Sequence, residues 1–221
     1  MSYTLSWISG CPNAWGTLFG MEIKGISYES DRLNANTSDH NKANYHFFDP
    51  LGKVPLLKDG DTIICESIAI LAYLEIKHPE KPLFGTNPKQ TGIIWQRVFE
   101  IVNNFRDPLA NGITQPLFKG QALDEPKAMQ VSAGKMHDVL QWVNNMLLLS
   151  TYLAGETLSA ADVIYMPFVQ SLLRAANRDD AASLNLGVLP IHKSYPNIAA
   201  WLNRIEDISA YEKTYPPHWR G

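Results

Sequence analysis

The strongest constraint in this chain is a change of period at one place. Before the stretch PEKPLFGTNP, Pro79 to Pro88, short alternating runs and helical stripes take turns; beyond it no strand pattern appears again. The stretch itself holds three prolines, a glycine and polar residues, which makes it a linker by composition. A segment that alternates strands and helices builds a sheet covered by helices, whereas a run of helical stripes must bury them against one another. The 221 residues are therefore expected to fold as α/β plus all-α, with a first domain at 1–80, a linker at 81–88 and an all-helical domain at 89–221.

In the first part, YTLSW places Tyr3, Leu5 and Trp7 on one side, as a strand does. Trp15, Leu18, Phe19 and Ile23 recur at helical spacing. Pro12 suits the first helical position and Gly25 the stop. ISYES reads as a second strand, and strand, helix, strand in that order implies a parallel unit. Residues 31–49 are polar and weakly patterned, as in a loop with a short irregular helix. In VPLLKDGDTIIC two β-like runs flank Lys58-Asp59-Gly60-Asp61, a tight hairpin. Glu66 then opens a helix with the stripe Ile68, Leu71, Ala72 and Ile76, ending near His78-Pro79. The result is a four-stranded mixed sheet with helices. In the second part the stripes are Ile94, Val98, Ile101, Val102 and Phe105; Met136, Val139, Leu140, Val143 and Leu147; and Ile198, Trp201, Leu202, Ile205 and Ile208.

Charge and composition exclude several classes of function. Lys and Arg number 19 against 22 Asp and Glu, for a net charge of -3, and no basic stripe offers itself to nucleic acid. No stretch approaches membrane-spanning length, and MSYTLSW lacks the charged and apolar regions of a secretory signal. The two cysteines, Cys11 and Cys65, are too few for a disulfide scaffold, so a reducing, cytoplasmic location is expected.

Of these cysteines, Cys11 stands directly before Pro12 and so at the N-cap of the first helix. The positive end of a helix favours a thiolate and lowers a thiol's pKa, which equips Cys11 for thiol chemistry. Ala14 stands where a second cysteine of a C-x-x-C pair would be, so that chemistry is monothiol. Cys65, at the end of an expected central strand, reads as a small buried apolar residue. Ser159 and Asp162 form an S-x-x-D capping box with Leu158 and Val163 placed as a staple, which is a structural motif.

Three patches carry a family likeness: PLGKVPLL (Pro50 to Leu57), CESIAILAYLE (Cys65 to Glu75) and AGETLSAADV (Ala154 to Val163). In this order and spacing they resemble the cytosolic glutathione transferases, over essentially the whole chain. The resemblance implies a thioredoxin-like first domain, a helical-bundle second domain, and glutathione as cosubstrate with no other cofactor. It implies a cis Val54-Pro55 bond and pairing of the Val54 N–H and C=O with the cysteinyl backbone of glutathione. Glu66 and Ser67, at a helix start, would hold the γ-glutamyl group, and Lys53, with His40 and Lys42, the glycyl carboxylate. Asn13 is a further polar contact.

In this family the first βα loop supplies the Tyr, Ser or Cys that meets the glutathione sulfur, and Cys11 falls in that register. The Cys-Pro pair resembles the omega and beta classes, while the glutathione-site motifs carry theta- and zeta-like features. Ser9 is the alternative if the register slips. The second substrate, a small apolar electrophile or a disulfide, would meet Phe105 and Tyr165, with Tyr215 and Trp219 from the tail. The implied protein is a cytoplasmic homodimer of detoxifying type, either conjugating glutathione or exchanging thiols through Cys11. The alternative is a non-catalytic ligand- or protein-binding module of the same fold, which glutathione would not stabilise.

Overall fold

Leu5 and Leu57 face each other in register across two antiparallel strands, and neither is exposed at all. They mark the centre of a four-stranded sheet of order β2-β1-β3-β4 in the computed structural model, which describes residues 3–34, 45, 49–121, 124, 126–184 and 186–220. β1 (Tyr3–Ile8) pairs in parallel with β2 (Tyr28–Leu33) and antiparallel with β3 (Leu56–Asp59), which pairs antiparallel with β4 (Thr62–Cys65). Gly60, at φ 58°, takes the left-handed turn position of the β3–β4 hairpin. β4 is an edge strand, so Cys65 is half-buried rather than enclosed in a central strand as expected.

α1 (Pro12–Lys24) connects β1 to β2 and packs against α2 (Ser67–Lys77). Gly25 ends α1 in the left-handed conformation, and its N–H donates to the Glu22 carbonyl. Leu18 and Met21 of α1 join Ile70 and Leu74 of α2 over Leu5 and Leu57. Each such side chain contributes about 1.5–3 kcal/mol by leaving water. The buried face of α2 is Ser67, Ile70, Leu71 and Leu74, whereas Ile76 of the expected stripe is 83 % exposed. This helix is apolar on nearly every side, so its sequence leaves the phase of the buried stripe open. Lys24, buried on α1, bonds Glu75 at 2.6 Å and the Lys81 carbonyl at 2.8 Å. Glu75 in turn accepts the N–H groups of Leu83 and Phe84, which ties the end of this segment to both helices.

The chain divides into two compact units, Met1–Phe84 with Ile208–Gly221, and Gly85–Asp207. In the second, α3 (Pro88–Ile101) is capped by Asn87, whose side chain accepts the Gln90 N–H. Short π-helical and α-helical turns follow from Val102 to Phe118. The longer helices that follow are α4 (Pro126–Met146), α5 (Ala160–Ala176) and α6 (Pro196–Glu206). Every residue from Ala160 to Val169 is buried, so α5 is the element around which this unit packs. No described helix is long and apolar enough to cross a membrane.

The tail, expected within the helical domain 89–221, groups instead with the sheet. The cause is aromatic packing. α7 (Ser209–Thr214) and the turn Pro217–Trp219 surround Trp15 of α1, with Tyr211, Tyr215 and Trp219 at ring-centroid distances of 5.6, 5.7 and 5.4 Å. The Trp15 indole donates to Thr214 Oγ1 at 3.2 Å, so the one polar atom of this buried ring is satisfied.

Candidate functional site

Strand order brings three distant segments to one end of the sheet. β1 ends at Ile8, running into Ser9-Gly10-Cys11. β3 begins at Leu56, opposite Ser6, so Val54-Pro55 lies beside the end of β1. β4 ends at Cys65, opposite Leu56, and delivers Glu66 and Ser67 to the same place. The loops at this end therefore hold most of the residues that the sequence singles out.

Cys11 is the N-cap of α1, with φ -74° and ψ 118°, and Pro12 follows at the first helical position. Its backbone N–H donates to Ile8 and its carbonyl accepts from Trp15, which pins the turn on both sides. The side chain makes no cap hydrogen bond. Burial pushes the thiol pKa above its ordinary 9.0; the amides of Ala14 and Asn13 pull it down by less. The expectation of a thiol more acidic than usual is thus corrected. The helix end acts in the expected direction, but removal of water outweighs it. Asn13, in the first turn of α1, lies 3.5 Å from the Ser67 hydroxyl, a long contact that links the N-termini of the two helices.

The Val54-Pro55 bond is cis. The backbone before it is held at both polar atoms: Asp49 accepts the Lys53 N–H at 2.6 Å, and the Tyr45 hydroxyl donates to the Lys53 carbonyl at 2.6 Å. Asp49 also takes the N–H of Leu51. Burial, with Asp49 nearby, raises the Tyr45 pKa, so it stays a phenol that can donate. Sequence alone missed Tyr45 and Asp49, although Asp49 directly before Pro50 is a recognisable turn former. Among the described residues nothing engages the Val54 backbone N–H and C=O, the exposed Lys53 ammonium or the Glu66 carboxylate. Glu66 sits at φ 70°, a conformation that side chains rarely adopt, and Ser67 is buried as the first residue of α2. A non-glycine residue held there costs on the order of 1–3 kcal/mol, and such strain concentrates at ligand-binding places.

The other candidates have different outcomes. His40 and Lys42 lie outside the described residues. Phe105 and Tyr165, expected to line a second-substrate pocket, are core residues of the helical unit. Each is completely buried, their rings are 4.8 Å apart, and Trp201 packs on Tyr165. A side chain with no exposed surface presents nothing to a substrate. Tyr215 and Trp219 serve the Trp15 cluster. Ser9 bonds His218 Nδ1 at 2.8 Å, a partner that sequence reasoning did not find because 209 residues separate the two.

Against known families, the model described as "Glutathione S-transferase, N-terminal domain" matches residues 10–76, and "Glutathione S-transferase, C-terminal domain" matches 105–208. A glutathione S-transferase of Arabidopsis thaliana is 31% identical over 216 residues, covering 92% of this chain and 80% of that one. "Glutathione S-transferase 1" of Manduca sexta is 27% identical over 221 residues, covering 98% of this chain and 94% of that one. Among solved structures, a glutathione S-transferase from the Antarctic clam Laternula elliptica superposes with a TM-score of 0.84 at 28% identity. It covers 99% of this chain and 94% of its own.

Proposed function

The chain belongs to the glutathione S-transferase family, and we propose that it binds glutathione at this end of the sheet and joins its sulfur to small apolar electrophiles, with Cys11 meeting the sulfur. One observation carries the reading. The N-termini of α1 and α2, linked through Asn13 and Ser67, share the sheet end with Val54, whose backbone donor and acceptor are unspent among the described residues.

In this reading glutathione lies extended. Its cysteinyl backbone pairs with Val54 as an added strand pairs with a sheet edge. Its α-carboxylate takes the N-terminus of α2 at Ser67, where orphan N–H groups and partial positive charge meet an anion. Its ammonium faces the Glu66 carboxylate, and its glycyl carboxylate faces the Lys53 ammonium, with His40 assigned to the same role from sequence. The amides at the start of α1 favour the thiolate form of the bound sulfur. Burial keeps Cys11 protonated, so its S–H donates to that thiolate. The thiolate then attacks the electrophilic carbon, the C–S bond forms, and the leaving group departs with its electron pair.

Thiol–disulfide exchange is the second use of the same geometry, favoured by a cysteine at position 11. The Cys11 thiolate attacks the glutathionyl sulfur of a mixed disulfide, and the released thiolate takes up a proton. A second glutathione thiolate then frees Cys11 as glutathione disulfide leaves. No cofactor besides glutathione enters either reaction, and the active species in this reading is a homodimer.

The test is conjugation of glutathione to an aryl halide by three variants. Cys11→Ala should lose activity by about a hundredfold, the scale of one lost donor to a developing anion. Cys11→Ser should conjugate at least as well as the parent, because a hydroxyl is the better donor, and should lose thiol exchange. Full activity in Cys11→Ala with loss in Ser9→Ala would overturn the assignment.

A further inference from the structure

The loop that presents Cys11 is held from the other end of the chain. Ser9 Oγ and His218 Nδ1 are 2.8 Å apart. Gly10, between Ser9 and Cys11, has φ 81°, and a Cβ there would stand 2.9 Å from His218 Cε1, 3.1 Å from Nε2 and 3.3 Å from Trp219 Nε1. The histidine and tryptophan rings therefore lie close over the Gly10 backbone, where a side chain would have to displace them.

His218 is itself placed by a built support. Trp219 meets Trp15 edge to face at 5.4 Å and Tyr215 at 6.0 Å. The Arg220 guanidinium lies 5.3 Å from the Tyr215 ring centre, donates to the Glu212 carbonyl at 2.7 Å, and pairs with the Glu212 carboxylate. Trp219 N–H closes the turn on the Pro216 carbonyl at 2.9 Å. A fully exposed tail would pay for this ordering in lost chain entropy; here α1 supplies the buried indole that compensates it.

We propose that His218 is a positioning residue for Cys11: by bonding the Ser9 hydroxyl and covering Gly10, it fixes the turn that sets the cysteine against the N-terminus of α1. The consequence rests on the reading that Cys11 meets the glutathione sulfur. The Ser9 hydroxyl is engaged by the tail, which assigns Ser9 to loop geometry. A reactive atom displaced by about 1 Å loses up to a hundredfold in rate, so a contact that fixes this turn acts on turnover more than on binding.

The experiment uses the full chain and four variants: His218→Ala, His218→Asn, Ser9→Ala and the Ser9→Ala/His218→Ala pair, each checked for an unchanged melting transition. Two quantities are read, the alkylation rate of Cys11 by iodoacetamide without glutathione, resolved by peptide mass, and kcat and KM for aryl-halide conjugation. In His218→Ala the freed turn should expose Cys11, raising alkylation about fivefold, while kcat falls about tenfold with KM for glutathione within about twofold. His218→Asn, whose amide stands where Nδ1 does but which lacks the ring over Gly10, should restore part of both. The double variant should be no worse than His218→Ala, which already removes the bond that Ser9→Ala removes.

Alkylation and kcat within about twofold of the parent in both His218→Ala and Ser9→Ala, or additive losses in the pair, would overturn the proposal. Should the reading of Cys11 itself fail, Cys11→Ala would stay active while the alkylation measurement still reported on the clamp.

Discussion

Two helices in this protein begin with contrasting use of their backbone donors. At α5 the start is closed. Asp162 accepts from the Ser159 N–H and hydroxyl, from the Leu153 N–H and from the Trp201 indole, each at 2.9 Å, and both Asp162 and Ser159 are buried. At α1 the N-cap is a thiol that makes no cap hydrogen bond, and the amides of Asn13 and Ala14 remain aimed toward the sulfur. A helix start with its donors spent locally stabilises the fold. One with its donors left over can receive an anion. Both starts follow a small polarizable or polar residue in the sequence, Cys11 and Ser159, so residue type alone does not separate them. The separation lies in what each side chain bonds.

The largest effect should come from opening the closed start. Asp162→Ala leaves four donors without their carboxylate and should cost on the order of 3 kcal/mol or more, read as a lower denaturation midpoint. A cost below about 0.5 kcal/mol would remove the contrast, because the α5 start would then be dispensable. A smaller effect, in affinity rather than stability, is expected at α2. Ser67→Ala should weaken glutathione binding about tenfold, or 1.4 kcal/mol, in calorimetry. Its stability should change by less than about 1 kcal/mol, since among the described residues the Ser67 hydroxyl makes only the long 3.5 Å contact to Asn13. Unchanged affinity would mean that this helix start, too, serves only the fold.

Much of the fold was legible because local chemistry marks it. Pro12 and Gly25 bound α1, the Asp59-Gly60 turn sets the hairpin, and the Ser159/Asp162 spacing announces α5. The motifs proposed for glutathione stand out in the sequence for the same reason: Val54-Pro55 and Glu66-Ser67 each sit at a strand or helix start. What was hidden depends on long-range packing. The stripe that holds Phe105 looks the same whether the ring lines a pocket or meets Tyr165 in a core. Nothing near Ser9 announces His218, and the aromatic residues of YEKTYPPHW show that the tail packs without saying on what. The acidity of Cys11 was misjudged because a helix N-terminus is visible in sequence, whereas burial of the sulfur is a property of the folded chain.

The place of Cys11 at the glutathione sulfur is tested most directly by treating the protein with glutathione disulfide across pH 7 to 10 and locating the adduct by mass without reduction. A thiolate facing the bound sulfur attacks it, forming the Cys11–glutathione disulfide and releasing one glutathione thiolate. The adduct should form at Cys11 ahead of Cys65. Its rate should still climb above pH 9, because burial holds the thiol pKa above 9.0 and the thiolate fraction is then still rising. An adduct on Cys65 alone, or none at either cysteine at any pH in this range, would contradict the placement of Cys11 at the sulfur.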